Sequence, residues 1–514
     1  MSPSFLTAPL LLAGTLVAAP AMASSCADLS QLDLFGVEIS NAEAQPAQTL
    51  PPDPMSAMTG SSPRPVEVGA HCLVEGKIDD REGVNGRYGI RFQMRLPDQW
   101  NGRFLFQGGG GMDGFIAPAI GSIPSTGSTA TPALSRGYAV VSMDGGHNGQ
   151  GGDFAEDQQA RLDLAYVAIG KVTDTAKVLI QARYEKAPEH SFFMGCSNGG
   201  REAMMAAQRF PTEFDGIVAG NPGFHLSRAS LTQAWDVQTL MSVAPNGDLS
   251  QALTQSDLDS VSSEILAQCD AKDGLEDGIV AGQCDFDPEA LRGKLADNKL
   301  DALLTVMNGP KGKNGEALYS DWPWDPGINS AGWRAWKLGS EQRPAMNLSI
   351  GPASLTKLFM TPPQESIPEP LDFDALARNV SSVGGYFDAD EVFLSTFAHQ
   401  GGKLVIFQGL ADPVFSANDI ARWYTEASAI TPDTARLFMV PGMTHCGGGN
   451  ATFENFDPLT LLENWKETGE APQMMPARAP SMPEREMPLC AYPTYAEYQG
   501  GEVNNASSFA CVEP

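Results

Sequence analysis

The sequence predicts an α/β fold, a largely parallel sheet interrupted by one large insertion. Three observations carry the prediction. Short apolar runs that end in glycine-rich loops alternate with segments of helical spacing. One such run leads directly into Gly195-Cys196-Ser197-Asn198-Gly199, after which a helical pattern resumes. Strand signals then thin out after about Pro222 and return at Leu404.

The elements follow in order. Tyr88–Leu96 alternates apolar and polar residues as a half-buried strand does, and Arg103–Gln107 is an apolar run ending in Gly108-Gly109-Gly110-Gly111. Tyr138–Met143 ends in Asp144-Gly145-Gly146, and Leu162–Tyr184 has helical spacing. His190–Met194, Phe214–Ala219, Leu404–Gln408 and Leu437–Val440 are further strands, with Asn198–Arg209 a helix. The resulting organisation is a leader (1–23), an arm (24–65), a sheet domain in two pieces (66–224 and 396–514) and an inserted segment (225–395). The arm is rich in Ala, Pro, Ser and Met, so it is expected to be loose, with one helix near Asp28–Leu34.

Composition narrows the possible partners. Lys and Arg total 33 against 62 Asp and Glu, a net charge of −29. Such a surface repels phosphate, which argues against nucleic acid as a partner. Leu10–Ala19 followed by Ala21-Met22-Ala23 reads as an export signal with its cleavage site, too short to span a bilayer. No other long apolar run suggests a membrane segment, so a secreted or periplasmic protein is expected, as a monomer or homodimer. Export would oxidise the eight cysteines, whose pairing the chain alone leaves open.

Chemistry concentrates at Gly195–Gly199. The G-x-S-x-G pattern between a strand and a helix forces a turn so tight that its neighbours must be small, and it presents the Ser197 hydroxyl at the sheet's carboxyl edge. A serine hydroxyl needs a base, and in this topology an acid and then a histidine follow it in the chain. His445, in the loop after Leu437–Val440, is the histidine that follows the last plausible acid. Asp412, after Leu404–Gln408, is the preferred acid over Asp419 and Asp433, neither of which directly follows a strand. The N–H of Asn198 and one from Gly108–Gly111 are expected to stabilise an oxyanion, each by roughly 2.7–4 kcal/mol.

Cys196 and Cys446 adjoin Ser197 and His445, so a disulfide between them would clamp nucleophile to base. A second cluster, Cys269–Ile279, alternates acids and glycines. Asp270, Asp273 and Asp277, with the carbonyls of Leu275 and Ile279, suit a hard cation, although an ordinary acidic turn has the same spacing. A Cys269–Cys284 bridge would close this loop and contribute up to about 3 kcal/mol.

Five segments together resemble the tannase and feruloyl esterase family of α/β-hydrolases: Gly195–Met204, Asp215–Gly223, Cys269–Val280, Gly409–Ala417 and Val440–Gly447. The resemblance runs from about residue 70 to the C-terminus and is close to the branch of bacterial mono(2-hydroxyethyl) terephthalate hydrolases. It implies a triad of Ser197, Asp412 and His445, Gly111 as the second oxyanion donor, and a lid formed by the insertion. It also implies calcium on Asp270, Asp273, Leu275, Asp277 and Ile279, and bridges Cys26–Cys72 and Cys490–Cys511. From the terephthalate branch come an aromatic pocket near Leu226, Trp336 and Phe415, and Arg343 as the match for a carboxylate-binding arginine. The loop before Arg343 is shorter than in that branch, and a structural role for Arg343 stays open.

The expected activity is hydrolysis of small esters of aromatic acids, feruloyl (hydroxycinnamoyl) or galloyl, with a terephthalate monoester as the alternative. A peptidase of this fold would usually bring a β-propeller, and the chain has no blade repeat. A non-catalytic binding protein on the same fold would have lost part of the Ser, Asp and His set.

Overall fold

The computed structural model describes residues 24–282, 284–368 and 370–514, and the signal expected over 1–23 lies outside the described residues. Nine strands form one sheet: Val37–Gln45 (β1), His71–Gly83 (β2), Gly86–Pro97 (β3), Arg103–Gln107 (β4), Ala139–Met143 (β5), His190–Cys196 (β6), Gly216–Gly220 (β7), Lys403–Gly409 (β8) and Ala435–Val440 (β9). They lie in the order β1-β2-β3-β5-β4-β6-β7-β8-β9. The pairings from β1 to β5 are antiparallel, and all those from β5 to β9 are parallel.

Residue patterns account for that division. In β2, buried positions alternate with partly exposed ones, as suits a strand with one wet face. The parallel strands are apolar almost throughout, because both their faces are covered. Phe104 and Phe106 of β4 turn toward the helices Ala168–Tyr184 (α1) and Asn198–Arg209 (α2), while Leu105 turns to the opposite face. That opposite face is covered by a C-terminal helix and by the hairpin Met474–Ala479 with Met482–Cys490.

Between β7 and β8 no strand among the described residues joins the sheet. Leu226–Met241 (α3), Gln255–Cys269 (α4), Asp297–Met307 (α5) and Phe373–Phe387 (α6) occupy this stretch with intervening loops. They build two apolar clusters. One joins Leu258, Val261, Leu303 and Trp333 to Val414 and Phe415, just beyond β8. The other joins Leu355, Phe359 and Val380 to Met112 and Phe154, beyond β4 and β5. The inserted residues are therefore packed on the sheet's carboxyl edge. Ala417–Ile430 (α7) and Pro458–Thr468 (α8) follow β8 and β9 and complete the two covering layers.

The N-terminal arm departs from expectation. Residues 24–65 are not loose, because Val37–Gln45 is the edge strand of the main sheet, paired along its length with β2. The helix expected at Asp28–Leu34 is a short 3-10 turn, Ala27–Gln31, tied to β2 by the Cys26–Cys72 disulfide. An edge strand exposes one rim and most of one face, so Val37–Gln45 carries Glu, Asn and Ala and lacks an apolar signature.

His225, where the insertion begins, bridges both of its boundaries. Its Nε2 meets Asp390 at 3.2 Å and its Nδ1 meets Asp419, on α7, at 3.0 Å. Burial opposes the imidazolium, but the hydrogen bonds to Asp390 and Asp419, with the charges of Asp419 and Asp388, raise it to about 10. A histidine raised from its usual 6.5 stabilises fully below that value and loses the contribution as pH rises through about 10. H225Q is therefore expected to cost about 1–2 kcal/mol near neutral pH. Paired urea melts of wild type and variant should converge as pH approaches 10.

Candidate active site

Four loops at the carboxyl ends of β4, β6, β8 and β9 meet at one point. Ser197 lies between β6 and α2, capping the helix with φ 61° and ψ −122°, a conformation rare for a residue with a side chain. Close packing on both sides of the turn demands glycine. A β-carbon on Gly195 would lie 2.6 Å from the carbonyl of Gly199, and one on Gly199 would lie 2.6 Å from the carbonyl oxygen of Gly109.

Ser197 Oγ donates to His445 Nε2 at 2.8 Å, and His445 Nδ1 donates to Asp412 Oδ2 at 2.9 Å. Asp412 is 2% exposed, and other donors pin its carboxylate. Val414 N (2.7 Å) and Phe415 N (3.2 Å) bind Oδ1, while Asn221 Nδ2 (2.7 Å) and Gln408 Nε2 (3.2 Å) bind Oδ2. Asn221, directly after β7, also donates to the Thr444 carbonyl at 3.4 Å and so ties the acid to the histidine loop. The chain pattern did not single out Asn221, although it lies at the end of a strand within the Asp215–Gly223 segment that carries the resemblance.

The oxyanion candidates are also assembled. The N–H groups of Gly109 and Gly110 are bound to Glu202 and Asp113, at 3.0 and 2.9 Å. The N–H groups of Gly111 and Asn198 donate to no protein acceptor among the described residues. Gly111 has φ 61°, with the Met58 side chain packed against its α-carbon. The arm thus reaches the site, which its sequence did not suggest. The turn Ser56–Thr59 and Gly60 lie on the glycine loop and on the Cys196–Cys446 bridge, where a β-carbon on Gly60 would be 2.9 Å from Cys446 Sγ.

All four disulfides form: Cys26–Cys72, Cys196–Cys446, Cys269–Cys284 and Cys490–Cys511. Cys196 and Cys446, with α-carbons 6.1 Å apart, covalently join the two loops that carry Ser197 and His445. Asp325, from the insertion, makes a second tie, accepting the N–H of Gly442 in the histidine loop at 3.1 Å. Sequence inspection missed Asp325, which lies far from any motif.

Trp336 and Phe415 both face His445 edge-on, with ring centroids 5.5 and 5.3 Å from the imidazole. Leu226 begins α3 and is half-buried against both clusters of the insertion. Arg343 is exposed, and its side chain has no salt-bridge partner among the described residues.

The acidic loop is knitted to its own backbone. Asp270 accepts from the N–H of Asp277 and Gly278, and Asp273 accepts from those of Leu275 and Ala281. Asp277 accepts from Ile279 N and pairs with Arg485. Burial raises the Asp273 carboxyl to about 6 against its backbone donors, and the charges of Asp277 and Asp270 add to the rise. The donors are all oxygen, as a hard cation requires. No three acid, histidine or cysteine side chains among the described residues converge as a ready metal cage.

A sequence profile described as "Tannase and feruloyl esterase" matches residues 72–512. The chain belongs to the tannase and feruloyl esterase family. It is a carboxylic ester hydrolase of that family. Its relatives include a mono(2-hydroxyethyl) terephthalate hydrolase of Piscinibacter sakaiensis, 37% identical over 86% of this chain and 85% of that protein. A probable feruloyl esterase of Arthroderma benhamiae is 30% identical over 84% of each. The crystal structure of feruloyl esterase B from Aspergillus oryzae shares the fold, with TM-score 0.77 and 23% identity over 94% of this chain and 98% of that one.

The cysteine brace makes a direct prediction. C196S/C446S should lower stability by about 3–5 kcal/mol, because the bridge closes a very long loop. Urea unfolding of the variant and of the oxidised wild type measures the loss.

Proposed function

We propose that this family member hydrolyses esters of aromatic carboxylic acids through an acyl-enzyme on Ser197. The observation that carries the reading is the continuous relay from Ser197 Oγ through His445 to the buried Asp412, flanked by the rings of Trp336 and Phe415. His445 Nε2 takes the Ser197 proton as Oγ attacks the ester carbonyl. Asp412 keeps Nδ1 protonated and offsets the charge of the imidazolium. The N–H groups of Gly111 and Asn198 receive the oxyanion. His445 then protonates the leaving alcohol, and in the second half-reaction it activates water to release the acid.

Hydroxycinnamoyl and galloyl esters are the substrates best supported by the family, with Leu226, Trp336 and Phe415 lining the acyl pocket. The terephthalate hydrolase relative supports a second reading, in which Arg343 holds a free carboxylate. Residues 225–395 serve as the lid, packed on the sheet edge that carries the triad. Calcium in the lid would be held by Asp270, Asp273 and Asp277 with the carbonyls of Leu275 and Ile279, and would brace that loop. Export is supported by four disulfides, which persist in oxidising compartments.

S197A is expected to lower turnover of methyl ferulate, methyl gallate and a terephthalate monoester, assayed side by side, by about 10⁴-fold or more. Unchanged turnover would overturn the nucleophile. The three wild-type rates rank the acyl groups, and R343A should slow the terephthalate monoester alone if the second reading holds. For calcium, metal analysis should find about one ion per chain. Chelation should lower the melting temperature, with recovery on adding calcium, since an ion that binds only the folded state stabilises it.

A further inference from the structure

The triad and the oxyanion donors leave one buried acidic cluster without a role. Asp113, in the turn after Gly108–Gly111, and Glu202, on α2, are both 0% exposed. They share a donor. Asn198 Nδ2 lies 3.0 Å from Asp113 Oδ1 and 3.3 Å from Glu202 Oε1. Each also holds one glycine of the oxyanion loop: Glu202 Oε2 accepts from Gly109 N and Asp113 Oδ1 from Gly110 N. The packing leaves no slack, since a β-carbon on Gly109 would lie 2.6 Å from Asp113 Oδ1.

Asp113 Oδ2 is buried and receives no donor among the described residues. The Asp113 carboxyl lies beside that of Glu202, itself an acceptor, because both take the same Asn198 amide. The neighbouring cation does not fill the gap. Arg201 gives Nε to Asn198 Oδ1 and its other nitrogens to the carbonyls of Leu164, Ala165 and Phe387. Two ionised carboxylates in contact at this depth would each bear a desolvation penalty of several kcal/mol as well as mutual repulsion. Burial first, and then the charge of Glu202, push the Asp113 carboxyl well above the usual range. One proton resolves the contact, and with Arg201 it makes the cluster neutral.

We propose that Asp113 and Glu202 share one proton at neutral pH, Asp113 Oδ2–H donating to Glu202, and that this acid pair positions the oxyanion donors. The pair fixes the Gly109–Gly110 backbone and the Asn198 side chain, and through them the N–H groups of Gly111 and Asn198. It spares the developing oxyanion a doubly charged neighbour. The inference rests on the oxyanion role assigned above to those two N–H groups. Asp113 and Glu202 are positioning residues, and their shared proton stays in place throughout turnover.

The test pairs infrared spectroscopy with kinetics of an aryl ester. D113N preserves the geometry, its amide donating to Glu202 and accepting from Gly110 N. At about pH 7 the wild-type minus D113N difference spectrum should show the carbonyl stretch of a protonated carboxylic acid. D113N should keep kcat within about threefold of wild type. D113A, which strands Gly110 N and Asn198, should lose about 10²-fold in kcat with little change in KM. If D113A fails to fold, E202A replaces it; it strands Gly109 N and should likewise lower kcat with little change in KM. Absence of the carboxylic-acid band would overturn the shared proton. A loss in D113N as large as in D113A, or kcat near wild type in D113A or E202A, would overturn the positioning role. The band is independent of the nucleophile, so an active S197A with the band present would reject the serine mechanism and leave the pair standing.

Discussion

The site depends on one constraint, the backbone of Ser197 held at φ 61° between β6 and α2. That turn costs free energy that extended or helical backbone would not, and the surrounding structure has to hold it. The strand contributes through Ser197 N, which donates to Gly220 O at 3.0 Å, and the helix contributes through Arg201 N, which donates to Ser197 O at 2.9 Å. Gly195, Gly199 and Gly109 contribute by lacking side chains. The Cys196–Cys446 bond then fixes the distance from this turn to the histidine loop, where Cys446 is itself at φ 58°. Strained backbone and covalent brace together place hydroxyl and imidazole within 2.8 Å.

Around that constraint, support arrives from segments far apart in the chain. Asn221 joins the acid to the histidine loop, Asp325 reaches in from the insertion, and Met58 and Gly60 lie on the glycine loop and the disulfide. The insertion and the arm therefore act on the same point from different sides. The preorganisation is electrostatic as well as steric. Backbone and amide donors surround the buried Asp412 carboxylate, and oxyanion donors oriented beforehand need not reorganise as charge develops.

Much of this could be read from residues alone, and the reason is local. Gly195–Gly199, Asp412 and His445 each follow an apolar run, and parallel strands bring their carboxyl ends to one edge, so chain order is enough to place them. Cys196 and Cys446 were legible as neighbours of residues that had to meet. The arm was misread because an edge strand such as Val37–Gln45 buries little and so lacks the apolar pattern. Asn221, Asp325, Asp113 and Glu202 stayed hidden because buried polar partners are chosen by tertiary geometry, which leaves no periodic trace. Trp336 and Phe415 came from family resemblance rather than pattern, and both stand beside the imidazole. Arg343, from the same source, lies exposed at the surface.

The most direct test of the central claim, a preformed and activated Ser197, is covalent labelling of the oxidised protein with a fluorophosphonate, mapped by peptide mass spectrometry. The account predicts one adduct per chain, on Ser197, formed without substrate or added cofactor. A folded protein that takes no label, or takes it on a different serine, would contradict it.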